Sequence, residues 1–157
     1  MSITETDLEQ ARVAWGNALV AISKAYEADG IDAARTTASD VLDAAYGYTM
    51  GPVLFKPTLA SGAQTFRPTR EGALSYFVGH NKMFPLDSGF GIKGWRSCIS
   101  ETSASFIDGD VAMWMGWISL TDKEGQITKV DKSWGYKKDS DGTLRIVLHH
   151  SSLPYQP

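Results

Sequence analysis

Cysteine occurs once in these 157 residues, as Cys98, and histidine three times, as His80, His149 and His150. A single thiol excludes an internal disulfide framework and suits a reducing compartment. Its alternating surroundings make Cys98 a buried strand thiol rather than a nucleophile. No apolar run reaches the roughly 20 residues that a membrane-spanning helix needs. No tract is rich in Lys or Arg, and the net charge of -3 argues against a nucleic-acid partner. The opening Met1-Ser2-Ile3-Thr4-Glu5 lacks the basic-then-apolar pattern of a signal peptide. These absences predict one soluble, intracellular domain over residues 1–157, with neither nucleic acid nor membrane as partner. The expected compartment is the cytoplasm, or the plastid stroma if a transit peptide has been removed. What is present is ordinary for such a domain: 43% hydrophobic and 21% charged residues.

The chain divides into a helical first half and a strand-rich second half. Thr4 followed by Asp7 is a variant capping box, with Asp where Glu or Gln is usual. Leu8, Ala11, Trp15, Ala18, Leu19, Ile22, Ala25 and Tyr26 then recur at helical spacing, and Gly30 supplies the stop. Asp32 is placed to cap a second helix, with Val41, Leu42, Ala45 and Tyr46 inward and Gly47 ending it. Val53-Leu54-Phe55 reads as a short strand running into Lys56-Pro57-Thr58. Ser61-Gly62 is a turn, and Thr65-Phe66-Arg67 reads as the returning strand of a small hairpin. Thr69 caps a third helix with Leu74, Tyr76, Phe77 and Val78, and residues 80–94 form a loop.

Four strands follow, over residues 95–106, 111–120, 127–136 and 143–148. Asp108-Gly109, Lys123-Glu124-Gly125 and Asp141-Gly142 turn the chain between them. Helices followed by long antiparallel strands give an α+β domain. The expected form is a curved antiparallel sheet wrapped around N-terminal helices, a cystatin-like or ketosteroid-isomerase-like cone. On that fold a site lies in the cone, between the helices and the concave face of the sheet.

The terminal strand runs into Leu148-His149-His150-Ser151-Ser152-Leu153-Pro154-Tyr155. Side chains alternate along a strand, so His149 and Ser151 share one face while His150 and Ser152 share the other. Pro154 cannot donate to a ladder and stops the strand. Each of these polar groups needs a partner if it is buried.

Together with Phe55-Lys56-Pro57-Thr58 and Phe66-Arg67-Pro68-Thr69, this H-H-S-S-x-P tail resembles the iota-class carbonic anhydrases. That family is built on the nuclear-transport-factor-like cone, and the resemblance covers nearly the whole chain. It implies reversible hydration of carbon dioxide to bicarbonate, hence carbonate dehydratase activity. It places a substrate-lining threonine, tyrosine and serine on Thr58, Tyr76 and Ser151, with His149 one step away on the face of Ser151. The residues themselves favour a site without metal or other cofactor. His149 and His150 point to opposite faces, His80 lies in a glycine-rich region, and neither an H-x-H pair nor a cysteine cluster occurs. The general base stays open between His149, with a suitable intrinsic pKa, and Tyr76, whose phenol would have to become more acidic.

Two other readings remain. One is a non-catalytic ligand-binding or assembly domain, similar to the association domain of calmodulin-dependent protein kinases. The other is an isomerase or hydrolase, which would want a buried carboxylate, whereas Asp131 and Glu101 sit among polar strand residues. Finally, residues 111–120 are apolar on both faces: Ala112, Trp114, Gly116, Ile118 and Leu120 against Val111, Met113, Met115 and Trp117. With Trp95 and Trp134 nearby, this predicts an apolar convex face and a homodimer built on it. The competing cover for that face is the loop over residues 80–94.

Overall fold

The capping box forms as the sequence predicts. In the computed structural model, which describes residues 2–157, the Thr4 hydroxyl accepts from the Asp7 N–H at 3.1 Å and the Asp7 carboxylate accepts from the Thr4 N–H at 2.9 Å. It starts helix α1 (Glu5–Asp29), which Gly30 ends at φ 86°. Helix α2 (Ile31–Ala45) follows at once, so Gly30 itself holds the N-cap position. Asp32 is therefore not the cap; it lies in the first turn and pairs with Arg35 at 3.2 Å. Among the described residues no helix is long and apolar enough to cross a membrane.

Strand β1 (Leu54–Lys56) is short, and helix α3 (Arg70–Val78) begins at Thr69, whose hydroxyl accepts from the Gly72 N–H at 3.2 Å. Between them the predicted hairpin is absent. Gly62–Gln64 makes a turn of 3-10 helix, and residues 65–67 touch β1 through the Arg67 N–H to the Phe55 carbonyl, 2.7 Å. Strand β1 instead pairs parallel with the last strand. The sheet is completed by β2 (Trp95–Asp108), β3 (Val111–Asp122), β4 (Ile127–Lys138) and β5 (Leu144–Ser152), in the order β1-β5-β4-β3-β2. The β2–β3, β3–β4 and β4–β5 pairs are antiparallel. The β2–β3 turn sits one residue later than expected, at Gly109-Asp110, with Gly109 at φ 61° in the position that favours glycine.

The three helices pack on one face of this curved sheet. Trp15, Leu19 and Ile22 of α1, Leu42 of α2 and Phe77 of α3 meet Trp114, Ile118, Val130, Trp134, Tyr136 and Ile146 of the sheet. The alternation along β3 resolves as predicted: Ala112, Trp114, Ile118 and Leu120 are buried, whereas Val111, Met113 and Met115 face outward, 38–51% exposed. Trp95 and Trp134 do not enlarge the outer apolar surface, because both are buried on the inner side. The loop does not cover the outer face either. It folds toward the helices, where Ser23 Oγ donates to the Gly91 carbonyl and Trp95 Nε1 to the Phe90 carbonyl, each at 2.6 Å.

One glycine marks how closely α1 lies on β2. A Cβ built on Gly16 would stand 2.7 Å from the Cβ of Cys98. Glycine inside a helix costs about 1 kcal/mol relative to alanine, so propensity alone favours Gly16→Ala. The contact reverses that sign: Gly16→Ala is expected to lower the urea midpoint, by the roughly 1–3 kcal/mol typical of an overpacked core. A raised midpoint would show that α1 can lift off the sheet freely.

Candidate active site

The pleat of β5 sorts the tail. His149 and Ser151 point inward and are buried, and His150 points outward and is exposed. Beside them β1 runs parallel, with Phe55 opposite His149 and Lys56 opposite His150. Pro57 follows directly, and Thr58 swings back over the end of β5. Its Oγ1 lies 2.6 Å from Ser151 Oγ. Lys56 fastens the same corner from its ammonium, which donates to the Ser151 carbonyl at 2.8 Å.

Tyr76 reaches this corner from α3. Its phenol oxygen accepts from the Leu59 N–H at 3.1 Å, which leaves the phenol hydrogen free to point into the site. Burial pushes the phenol well above its usual pKa, against smaller opposing contributions from the Leu59 amide and the Thr58 hydroxyl. Tyr76 is thus a neutral donor, not a base. Its helix is held by a buried ion pair: Arg67 and Asp87 meet through two contacts of 2.7 Å, and Ser75 Oγ donates to Asp87 at 2.6 Å. The Arg67 guanidinium lies 5.9 Å from the centre of the Tyr76 ring.

The structure therefore brings Thr58, Tyr76 and Ser151 together, and treats His149 differently. The imidazole is stacked on Phe55 with centroids 4.6 Å apart. Tyr46 Oη lies 2.8 Å from Nδ1, and Lys132 Nζ lies 2.8 Å from Nε2. Both nitrogens are taken by the protein, and burial holds the ring well below its ordinary pKa, as do the nearby Lys132 and His150. His149 is a neutral structural member behind the hydroxyls, and neither nitrogen faces a substrate. Lys132 and Tyr46 are the residues that sequence reasoning missed in this role. Lys132 stands opposite Ser151 on the β4–β5 ladder, 4% exposed, and among the described residues no carboxylate forms an ion pair with it. Burial brings its amine down to about 7. The available signal was the inward face Val130, Lys132, Trp134, Tyr136, a lysine set among core residues.

The cone itself is filled with aromatic rings, among them Trp15, Trp114 and Trp134. A hollow of about 440 Å³ opens between α1, α2 and the ends of β4 and β5, and one of about 550 Å³ lies beside Tyr48 and Pro68; neither touches Thr58 or Ser151. Beside Leu59 and Tyr76 there is a cavity of only about 20 Å³, reaching Asp87 and Phe90. Such a volume is on the scale of one water, and this cavity too is lined by neither Thr58 nor Ser151. A metal does not fit the residues present. Among the described residues no three His, Cys, Asp or Glu side chains gather, and His150 and the exposed His80 face away from His149. Cys98 is buried deeply enough for its thiol to be pushed up to about 11.

Residues 6–153 match the family described as metal-independent carbonic anhydrase. The chain belongs to that family. A metal-independent carbonic anhydrase of Nostoc sp. (strain PCC 7120) is 54% identical over 155 residues, which are 99% of this chain and 76% of the relative. The crystal structure of a cyanobacterial iota-carbonic anhydrase complexed with bicarbonate superposes with a TM-score of 0.98 at 53% identity, covering 99% of this chain and 95% of that one. A putative calcium/calmodulin-dependent protein kinase II association domain from Xanthomonas campestris matches with a TM-score of 0.61 at 21% identity, covering 99% and 91% of the two chains. At that identity the likeness is one of fold, and it extends the cone to proteins of other function.

The buried lysine of this chain has a measurable consequence. Its amine titrates near 7 when folded and near 10.5 otherwise, so between those values the unfolded chain binds more protons. The contribution of Lys132 therefore rises with pH across that window, its burial penalty being fully present below it, and Cys98, raised from 9 to about 11, opposes it only in the upper part. Urea midpoints are expected to be higher at pH 9.5 than at pH 7.5, and Lys132→Met to shrink that difference. An unchanged pH slope in the variant would mean that Lys132 does not titrate in this range.

Proposed function

We propose that this protein hydrates carbon dioxide reversibly to bicarbonate at the corner formed by Thr58, Tyr76 and Ser151, without a metal. The observation that carries the reading is the 2.6 Å contact between Thr58 and Ser151 beside the Tyr76 phenol. Family membership and the bicarbonate-bound relative support it.

In this reading water is held by the hydroxyl pair with its oxygen toward the carbon of carbon dioxide. The new O–C bond forms as one C=O π pair moves onto oxygen, where the Tyr76 hydrogen and the remaining hydroxyl hydrogen receive the developing charge. The proton of the attacking water passes into the Thr58–Ser151 pair, which hands one of its own hydrogens to solvent at the half-exposed Thr58. Magnitudes decide which effect matters. In carbonic anhydrases of a different fold, a zinc ion lowers the pKa of bound water from 15.7 to about 7, which amounts to roughly 12 kcal/mol. Each hydroxyl contributes about 0.5–1.5 kcal/mol, so polarisation by three of them falls far short. Holding the two reactants in attack geometry is worth up to roughly 7–11 kcal/mol. Positioning is the larger share.

Ser151→Ala and Thr58→Ala are each expected to reduce oxygen-isotope exchange between carbon dioxide and water by about 10²-fold or more, the scale of losing a proton-transfer group. Tyr76→Phe keeps the ring and should lower the rate while leaving the thermal midpoint nearly unchanged. Wild-type activity is expected to survive exhaustive chelation. Wild-type rates in all three variants would remove the site, and restoration of a chelated enzyme by zinc or manganese would remove the metal-free mechanism.

We also propose a homodimer through the convex face of the sheet. Ile99, Phe106, Met113 and Met115 stand exposed there, and Leu54 and Phe66 continue the apolar surface toward β1. Such a patch is large for a monomer, and a two-fold copy offers the matching surface. Light scattering at micromolar concentration should give twice the chain mass; a stable mass of 17.1 kDa would exclude the dimer.

A further inference from the structure

Behind the three hydroxyls runs a buried chain of hydrogen bonds that the hydration step above does not use. The Trp15 indole N–H donates to the Tyr46 oxygen at 3.1 Å, Tyr46 Oη meets His149 Nδ1, and His149 Nε2 meets Lys132 Nζ. All four side chains are buried.

Counting donors places every hydrogen. An indole can only donate, so the Tyr46 oxygen accepts from Trp15, and the Tyr46 hydrogen is left with Nδ1 as its acceptor. A neutral imidazole that accepts at Nδ1 carries its hydrogen at Nε2. That hydrogen points at Lys132 Nζ, which must receive it with a lone pair. An ammonium has none; an amine has one.

We propose that Lys132 is a positioning residue held as an uncharged amine by the Trp15–Tyr46–His149 chain, and that its protonation is what slows the enzyme as pH falls. The inference rests on the reading of Thr58, Tyr76 and Ser151 as the hydration site. Lys132 stands opposite Ser151 on the ladder, where directly opposed side chains on one face are neighbours. As an amine it adds no second cation to that of the part-buried Lys56, which is spent on the Ser151 carbonyl, so bicarbonate leaves without a fully buried cation to retain it. As an ammonium it attracts bicarbonate from the far side of Ser151. It also reverses the chain: His149 must then carry its hydrogen at Nδ1, and the Tyr46 hydrogen loses its acceptor in the core.

The surroundings pull both ways, and burial decides. Desolvation lowers the amine, with Lys56 on β1 adding to it, while Cys98 on β2 and the adjacent Asp131 favour the charged form. So do the ring faces of Trp15 on α1 and Trp134 on β4, 4.7 and 5.6 Å from Nζ, whereas the end of α2 presents Tyr46 to His149.

The test reads the charge and the rate separately. In protein carrying ¹³C at lysine Cε, the Lys132 resonance, assigned by its loss in Lys132→Met, is expected to titrate near neutrality. A Lys132 resonance that stays in the charged position at pH 8 overturns the proposal whatever the activity. In isotope exchange, a group titrating near 7 leaves about one-tenth of the wild-type rate at pH 6 relative to pH 8. Lys132→Met, which cannot be charged, is expected to show rates at pH 6 and pH 8 that agree within about twofold, and Lys132→Arg, charged throughout, a kcat at pH 8 resembling wild type at pH 6. A Lys132→Met enzyme that keeps the acid limb overturns the proposal. So does one with no activity at either pH, which would make Lys132 the proton acceptor instead. The Ser151→Ala measurement tests the hydration site itself, so failure of that site and failure of this inference are told apart.

Discussion

Three residues of parallel pairing between β1 and β5 decide where the proposed site lies. The register sets Phe55 against His149, so the ring stacks on the imidazole and the next turn of chain, Pro57-Thr58, falls over Ser151. A slip of one residue would put Lys56 on the inner face and move the threonine off its partner, because side chains alternate with a period of two. Everything else in the site is fastened to that pairing. Lys56 holds the strand end through the Ser151 carbonyl, and the Arg67–Asp87 pair holds the helix that delivers Tyr76.

The corner so formed is polar yet close to uncharged. Its acidic and basic groups are either neutralised by burial, as in Lys132 and His149, or used up in structure, as in Arg67 with Asp87 and Lys56 on the Ser151 carbonyl. A low-dielectric setting makes each hydroxyl hydrogen bond stronger than it would be in water, and makes any unpaired member costly. That balance suits a reaction whose substrate is apolar and whose product is an anion that has to leave.

The face assignments are legible because alternation in a strand is a local rule. His149 and Ser151 inward, His150 outward, and the two sides of β3 all follow from it. Thr4, Gly30 and Thr69 are legible as caps for the same reason. The failures share a different cause. Residues 65–67 carry strand-like residues next to β1, but the partner that β1 takes lies near the chain's end, and no local signal announces a parallel neighbour so far away. Asp32 reads as a cap because Gly30, already spent as a stop, also serves as the start of α2. Lys132 does not stand out in the sequence because Lys129, Asp131 and Lys132 make this stretch of β4 largely polar; its phase with Val130 and Trp134 places it inside. Its hydrogen bond to His149 depends on two strands coming into register, which spacing alone does not give.

The contact between Thr58 and Ser151 spans 93 positions of sequence. Closing so long a loop carries an entropic cost that must be met before the contact contributes anything, and such pairings form late. On a ribosome, the helices and the β2–β3 hairpin can dock while β5 is still being made, but the hydroxyl pair cannot exist until Ser151 has cleared the exit tunnel. Assembly of the proposed site therefore waits on β5, and the hydroxyl pair would be lost first if that strand peeled away from its short neighbour.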